Sequence, residues 1–335
     1  MKKAFIPLGI SGAFAVFGLV AAVALTGGLG GGGYEPKDLV IEGDGGTDAQ
    51  ATSPASLVEV FSYVEVRTGE YYQSLENGAE PQRVEGKYNS IGVVDYSKGT
   101  NSNITYDRTL AVVQNEYGVV YQYDGVEEQS IGKADRNFLF SYSGEGMYML
   151  FNKYDLTLNN PDDPQMKHFA AQAKGCTDNR GNWYFVGFSD AHMQEMSSLP
   201  YPTDKKSAAK YYSYQDSYSL AMQYRNQYLS NVDQNCSTLQ YLVNYIANNV
   251  DSFDFVEGRY SKEFSTGTLY LDFTSPSAPV MSAVLENERE DLTFAHIGNA
   301  KVPYAKKSES KGDFYDLFGE ALEDFYLDYY TSLGM

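Results

Sequence analysis

Two lysines, Lys2 and Lys3, open a stretch that then carries no charged residue from Ala4 to Gly33. Ala4 to Leu25 is a run of 22 predominantly apolar residues. At a rise of about 1.5 Å per residue, a helix of that length crosses a hydrocarbon core roughly 30 Å thick. Residues 1–33 are therefore expected to be a transmembrane anchor or signal sequence. Ala22-Val23-Ala24 offers a small-x-small cleavage site, whereas the length of the run favours a retained anchor. No cysteine follows it, which excludes a lipid-anchored lipoprotein. The lysines stay inside by the positive-inside rule and residues 34–335 go outside. The expected location is the cell membrane, single-pass, with residues 34–335 extracytoplasmic, or secreted if the segment is cleaved. The membrane is thus the first expected partner.

Residues 34–52 are rich in glycine and acid and read as a flexible acidic linker. Glu42-Gly43-Asp44 with Asp48 invites a calcium reading, but the EF-hand ligand pattern is absent and a solvated linker is favoured. Beyond it, 30 Tyr and 18 Phe exclude general disorder. A balance of 25 Lys+Arg against 44 Asp+Glu argues against a nucleic-acid partner.

An internal duplication organises the remainder. Val84, Glu85, Gly86 and Tyr88 recur as Val256, Glu257, Gly258 and Tyr260, and Ala111–Glu116 recurs as Ala283–Glu288 at the same offset. Two hairpins converging on similar strand sequences is the competing explanation. In the duplication reading the motif residues are structural, with Val84 and Val256 buried and the glycines at a turn or bulge. Ser53-Pro54 is a helix start, with Leu57, Phe61 and Val64 at helical spacing. β-branched density over 57–66 keeps a strand alternative open. Alternating runs predict strands over 90–96, 104–113, 117–123, 259–264, 267–273, 280–287 and 291–297, and strand-like runs also cover 137–143, 146–151 and 182–187. Helices are expected near 207–230, over 239–250 and over 313–333, the last started by Asp313 and Asp316.

The expected fold class is α+β: an N-terminal transmembrane helix, then two related helix–antiparallel-sheet–helix modules. The first spans 53–232 with a long insertion, 126–206, and the second spans 233–335. A helix followed by a curved antiparallel sheet is similar in architecture to envelope lipid-carrier folds, without a shared residue motif.

No catalytic, cofactor or metal residue set emerges. Gly187-Phe188-Ser189-Asp190-Ala191 begins like a nucleophile elbow but lacks the final glycine. His192 could be drawn with Asp190, yet residues two apart do not face each other on a helix. His168 reads as a surface residue and His296 as a strand histidine. Cys176 and Cys236, the only cysteines, permit one disulfide outside the membrane; two unpaired buried thiols are the alternative. Asn103-Ile104-Thr105 and Asn235-Cys236-Ser237 match the glycosylation sequon. The expected function is a membrane-anchored extracytoplasmic interaction protein without catalysis, its partner a protein or an apolar small molecule. The alternatives are a carrier or sensor of an apolar ligand such as a lipid, and a carboxylate-based hydrolase.

Overall fold

The computed structural model describes residues 43–60, 91–101, 103–115, 118–143, 146–285, 288–301, 305 and 307–334. The expected anchor and the first copy of the repeated motif, Val84, Glu85, Gly86 and Tyr88, lie outside these residues. Among the described residues no helix is long and apolar enough to cross a membrane.

The chain is a mixed α+β fold built on one large, mostly antiparallel sheet. Five long strands follow one another as a meander: β1 (Ile91–Asn101), β2 (Ile104–Asn115), β3 (Gly118–Gln129), β4 (Gly132–Ser143) and β5 (Gly146–Leu158). A second meander comprises β7 (Asp254–Val256), β8 (Arg259–Phe264), β9 (Gly267–Asp272), β10 (Val280–Val284) and β11 (Arg289–Ala295). The two join edge to edge because β1 pairs antiparallel with β11, Val93 opposite Phe294. β6 (Trp183–Phe185) pairs with β5, and β12 (Ser310–Asp313) lies parallel to β6. The sheet order is therefore β12-β6-β5-β4-β3-β2-β1-β11-β10-β9-β8-β7.

Period-2 alternation gives this sheet its buried face. Met149, Phe140, Tyr121, Val112, Val93 and Phe294 stand opposite one another across six strands, and all but the partly buried Val112 are sealed. The helical layer comprises α1 (54–60), α2 (Pro164–Asp178), α3 (Asp190–Ser198), α4 (Lys205–Asn248) and α5 (Phe314–Ser332). α1 starts where Ser53-Pro54 predicts: Leu57 N–H reaches the Ser53 carbonyl at 3.1 Å. α5 begins in a capping box, with Asp313 accepting from the Tyr315 and Asp316 amides and Asp316 accepting from the Asp313 amide. Phe314, Leu317, Phe318, Ala321 and Leu322 then form its buried stripe. α5 packs against α4 and α2, and α2 packs against β5.

Three boundaries differ from the sequence reading. The helices expected at 207–230 and 239–250 are one 44-residue helix, α4, so the division at 232/233 falls inside it. No glycine or proline interrupts Lys205 to Asn248, and the polar stretch around Asp233 leaves backbone hydrogen bonding free to continue. The insertion drawn over 126–206 starts within β3 and adds β4, β5 and β6 to the same sheet. The linker drawn over 34–52 is, from Gly43 onward, docked on the fold. Gly43 bridges Ala300, Asp44 N–H reaches Asn299 O, Ala49 N–H reaches Ile297 O and Ala51 N–H reaches Pro276 O, each of these three bonds 2.8 Å long. Ala51 is fully buried, because the small side chains of the segment let its backbone lie close against the 296–300 turn.

Candidate functional site

Each of the three histidines meets an aspartate distant in sequence. His168 Nε2 lies 2.8 Å from Asp216 Oδ2, and the Tyr326 hydroxyl donates to the same oxygen. His296 Nδ1 lies 3.4 Å from Asp48 Oδ2. His192 Nδ1 lies 2.7 Å from Asp313 Oδ2, which also accepts the Ser189 amide at 2.6 Å. Burial alone would raise the Asp313 carboxyl, but the Ser189 amide and the His192 ring bring it below its ordinary value. Ser189 itself is the N-cap of α3 and accepts from the His192 amide. The elbow-like sequence is therefore a strand-to-helix turn with its serine occupied in capping. His192, Asp313 and Asp316 approach closely enough to suggest a metal site. Both Asp313 oxygens and Oδ2 of Asp316 already accept hydrogen bonds, which is the pattern of a cap.

The inner face of the sheet carries a row of charge. Tyr154, Arg136, Gly125, Arg108, Ser97 and Glu290 are cross-strand neighbours in succession. Arg136 holds Glu127 at 2.6 Å, and the Tyr123 hydroxyl donates to the other Glu127 oxygen at 2.8 Å. Both charges of that pair are buried. Gly125 makes room between the two arginines, since a Cβ there would stand 2.7 Å from the Arg108 Cβ. Arg108 is shared less evenly. It lies 3.7 Å from Glu290, and its guanidinium covers the Tyr106 ring at 4.3 Å.

Asp95 occupies the adjacent inward position on β1 and accepts the Ser97 hydroxyl at 2.7 Å. Asp95 and Glu290 are each only 2% exposed. Burial pushes Asp95 up to about 6, with Arg108 opposing. Burial, and then the charge of Asp95, hold Glu290 well above the ordinary carboxylate range. Oδ2 of Asp95 and Oε2 of Glu290 have no hydrogen-bond partner among the described residues. Neither acid was singled out from sequence. The available signal is parity: Asp95 is in phase with Ile91 and Val93, and Glu290 with Leu292 and Phe294, so each is a charge at a core-facing position.

A shallow depression of about 470 Å³ lies beside the docked N-terminal segment, with Asp48, Ser277, His296 and Asn299 among its lining residues. Asn299 dominates it, its amide donating to Gly46 O at 3.0 Å and Asp48 Oδ1 at 2.8 Å and accepting Gly46 N–H at 3.1 Å.

The described copy of the repeated motif closes the β7–β8 hairpin. Val256 pairs with Arg259, leaving Glu257 and Gly258 as a two-residue loop with φ of 50° and 88°. Two successive positive φ values define a type I′ turn, and glycine at the second avoids the left-handed penalty. Gly258 thus occupies the expected turn. Val256, expected in the core, is instead 67% exposed, because β7 is the last strand in the sheet order and is exposed along its length. Tyr260 is half-buried and packs on Phe255 with ring centroids 4.6 Å apart. Cys176 is fully buried, and burial pushes its thiol up. The side chain of Cys236, and with it the expected bridge, lies outside the described residues. No protein-family model matches the chain, and no curated protein or solved structure is significantly similar to it.

Proposed function

We propose that the chain is a membrane-anchored, extracytoplasmic interaction protein without catalysis of its own. The observation that carries this reading is the exposure of Phe255 and Val256 on β7, the last strand of the sheet among the described residues. The exposed large apolar residues among those described are Ile131, Tyr201, Phe255, Val256 and Leu333, and only Phe255 and Val256 are adjacent. The two side chains stand on opposite faces of β7, so both faces of this strand edge expose apolar surface, which is costly in water and marks a contact surface. The lysine-flanked apolar run supports the anchor. The commitment of Ser189 and Asp313 to helix caps, with His192 bonded to Asp313, supports a role other than nucleophilic catalysis. Ring contacts such as Tyr123–Phe138 at 5.1 Å and Phe138–Phe151 at 5.7 Å fill the inner face there, favouring interaction over the lipid-carrier reading.

The hydrolase reading draws support from one observation, the juxtaposed acids Asp95 and Glu290; their burial favours a structural role for them. The test is a photo-crosslinking amino acid placed at Phe255 in the full chain in living cells, with Asn137 on the opposite sheet face as control. A discrete adduct at 255 and none at 137 is expected. No adduct at 255 overturns the interaction reading.

A further inference from the structure

We infer that the β7 edge takes an extended, basic segment of a partner protein by strand addition, a proposal that rests on the interaction reading above. The backbone geometry supplies the first argument. In a two-residue hairpin the flanking residues, here Val256 and Arg259, exchange both backbone hydrogen bonds. The next pair, Phe255 and Tyr260, then exchanges none, so Phe255 turns its N–H and C=O toward the open side of β7. Among the described residues no strand lies beyond β7. An incoming strand can therefore bond to Phe255 and lay alternate side chains over Phe255 and Val256.

Charge gives the chemistry of the occupant. Asp251, Asp254, Glu257 and Glu263 surround this edge, all exposed. Among the described residues none of the four pairs with a cation. The nearby cations are already engaged. Arg259 bonds Asp272, with Nε at 2.9 Å, and Lys262 bonds the Ser252 hydroxyl at 2.7 Å and lies over the rings of Phe253, Tyr245 and Phe264. The edge thus presents Phe255 on one face and, on the other, Val256 with the unneutralised Asp254 and Glu263. A second copy would bring the same four carboxylates against these and would be repelled. A strand alternating lysine with valine would lay its valines on the Phe255 face and its lysines beside Asp254 and Glu263 on the other.

The probe is a fluorescently labelled eight-residue peptide alternating lysine and valine, with an alternating glutamate–valine peptide as comparison. Binding is read by anisotropy on the full chain in detergent micelles at low and physiological salt. The basic peptide is expected to bind and the acidic one not. Asp254→Lys with Glu263→Lys is expected to weaken binding by about tenfold, and the effect should shrink as salt screens it. Phe255→Ser with Val256→Ser is expected to weaken it at least as much, with unchanged circular dichroism. Asp162→Lys with Glu320→Lys, a charge-matched change elsewhere, should leave binding within about twofold.

Equal loss in that control, or no loss in the edge variants, would mean attraction to a chain of net charge −19 and would overturn the proposal. So would sedimentation showing a dimer that Phe255→Ser with Val256→Ser dissociates, since a second copy would then be the occupant. If the basic peptide fails while the adduct at 255 persists, strand addition by a basic segment is wrong and the interaction reading stands. If the adduct is also missing, both fall.

Discussion

Asp313 accepts a hydrogen bond from His192 at 2.7 Å across 121 residues of sequence, while its other oxygen starts the helix that closes the chain. One buried carboxylate therefore ties the β6–α3 turn to the N-terminus of α5. Three roles meet in it: the Ser189 amide, the His192 ring and the cap of α5. An isolated aspartate–histidine pair resembles half of a catalytic triad. Here the neighbouring Ser189 caps α3, and the pair serves as a staple between two helices.

Asp313→Ala is therefore expected to destabilise the fold by about 2–4 kcal/mol, more than the roughly 1 kcal/mol typical of a lost cap, because buried donors are stranded as well. Asp313→Asn keeps the cap acceptor and is expected to lose about half as much. Urea unfolding monitored by circular dichroism measures both. Equal, negligible losses would reduce the contact to an incidental one.

The acids of the inner face set a pH dependence of opposite sign to that of ordinary paired carboxylates. Asp95 and Glu290 hold their protons more tightly folded than unfolded. Between the unfolded and folded values the native state binds more protons, so stability falls as pH rises. For Asp95 the decline runs from the usual value near 4 up to about 6, and for Glu290 it continues higher. Glu290→Gln fixes the neutral form. It is expected to be more stable than the parent at pH 8, by about 1 kcal/mol or more, and to show a shallower decline between pH 5 and 8. Unfolding midpoints across that range decide it; parallel curves for the two proteins would place the proton elsewhere.

Much of the fold was legible because its signals are local. Strand patterning located β1 through β6 and β8 through β11, though β4 and β5 run longer than expected, and Asp313 with Asp316 located the start of α5. What escaped is nonlocal. The pairing of Val93 with Phe294 that merges the two meanders has no trace in either strand alone. The continuity of α4 was masked by a polar stretch, although the absence of glycine and proline over 205–248 was readable. For the candidate site, the motif glycine at 258 was placed in a turn correctly, whereas Val256 was misassigned because nothing in the sequence marks β7 as the terminal strand.

The proposed anchor and its orientation can be settled on intact cells. With Lys2 and Lys3 inside, external protease should remove residues 34–335, and digestion should be complete without lysis. Digestion only after lysis would reverse the topology and remove the extracytoplasmic reading.

The docked segment supplies the last prediction. Residues 43–51 look like a free tether by composition, yet a single side chain, Asn299, receives Gly46 N–H and donates to Gly46 O and Asp48. Backbone bonds from Asp44, Ala49 and Ala51 flank that clamp. Removing the Asn299 amide strands the Gly46 groups and takes from Asp48 the hydrogen bond at Oδ1. Asn299→Ala is expected to raise amide exchange at Asp44, Gly46 and Ala49 by about tenfold, equivalent to roughly 1.4 kcal/mol of local opening. Phe138 and Phe140, buried in the centre of β4, should keep their protection. Hydrogen exchange on the full chain in micelles reads both regions at once. Rapid exchange at 43–51 in the parent protein would mean that the segment is a tether after all, and equal protection in both proteins would mean that the backbone bonds hold it without Asn299.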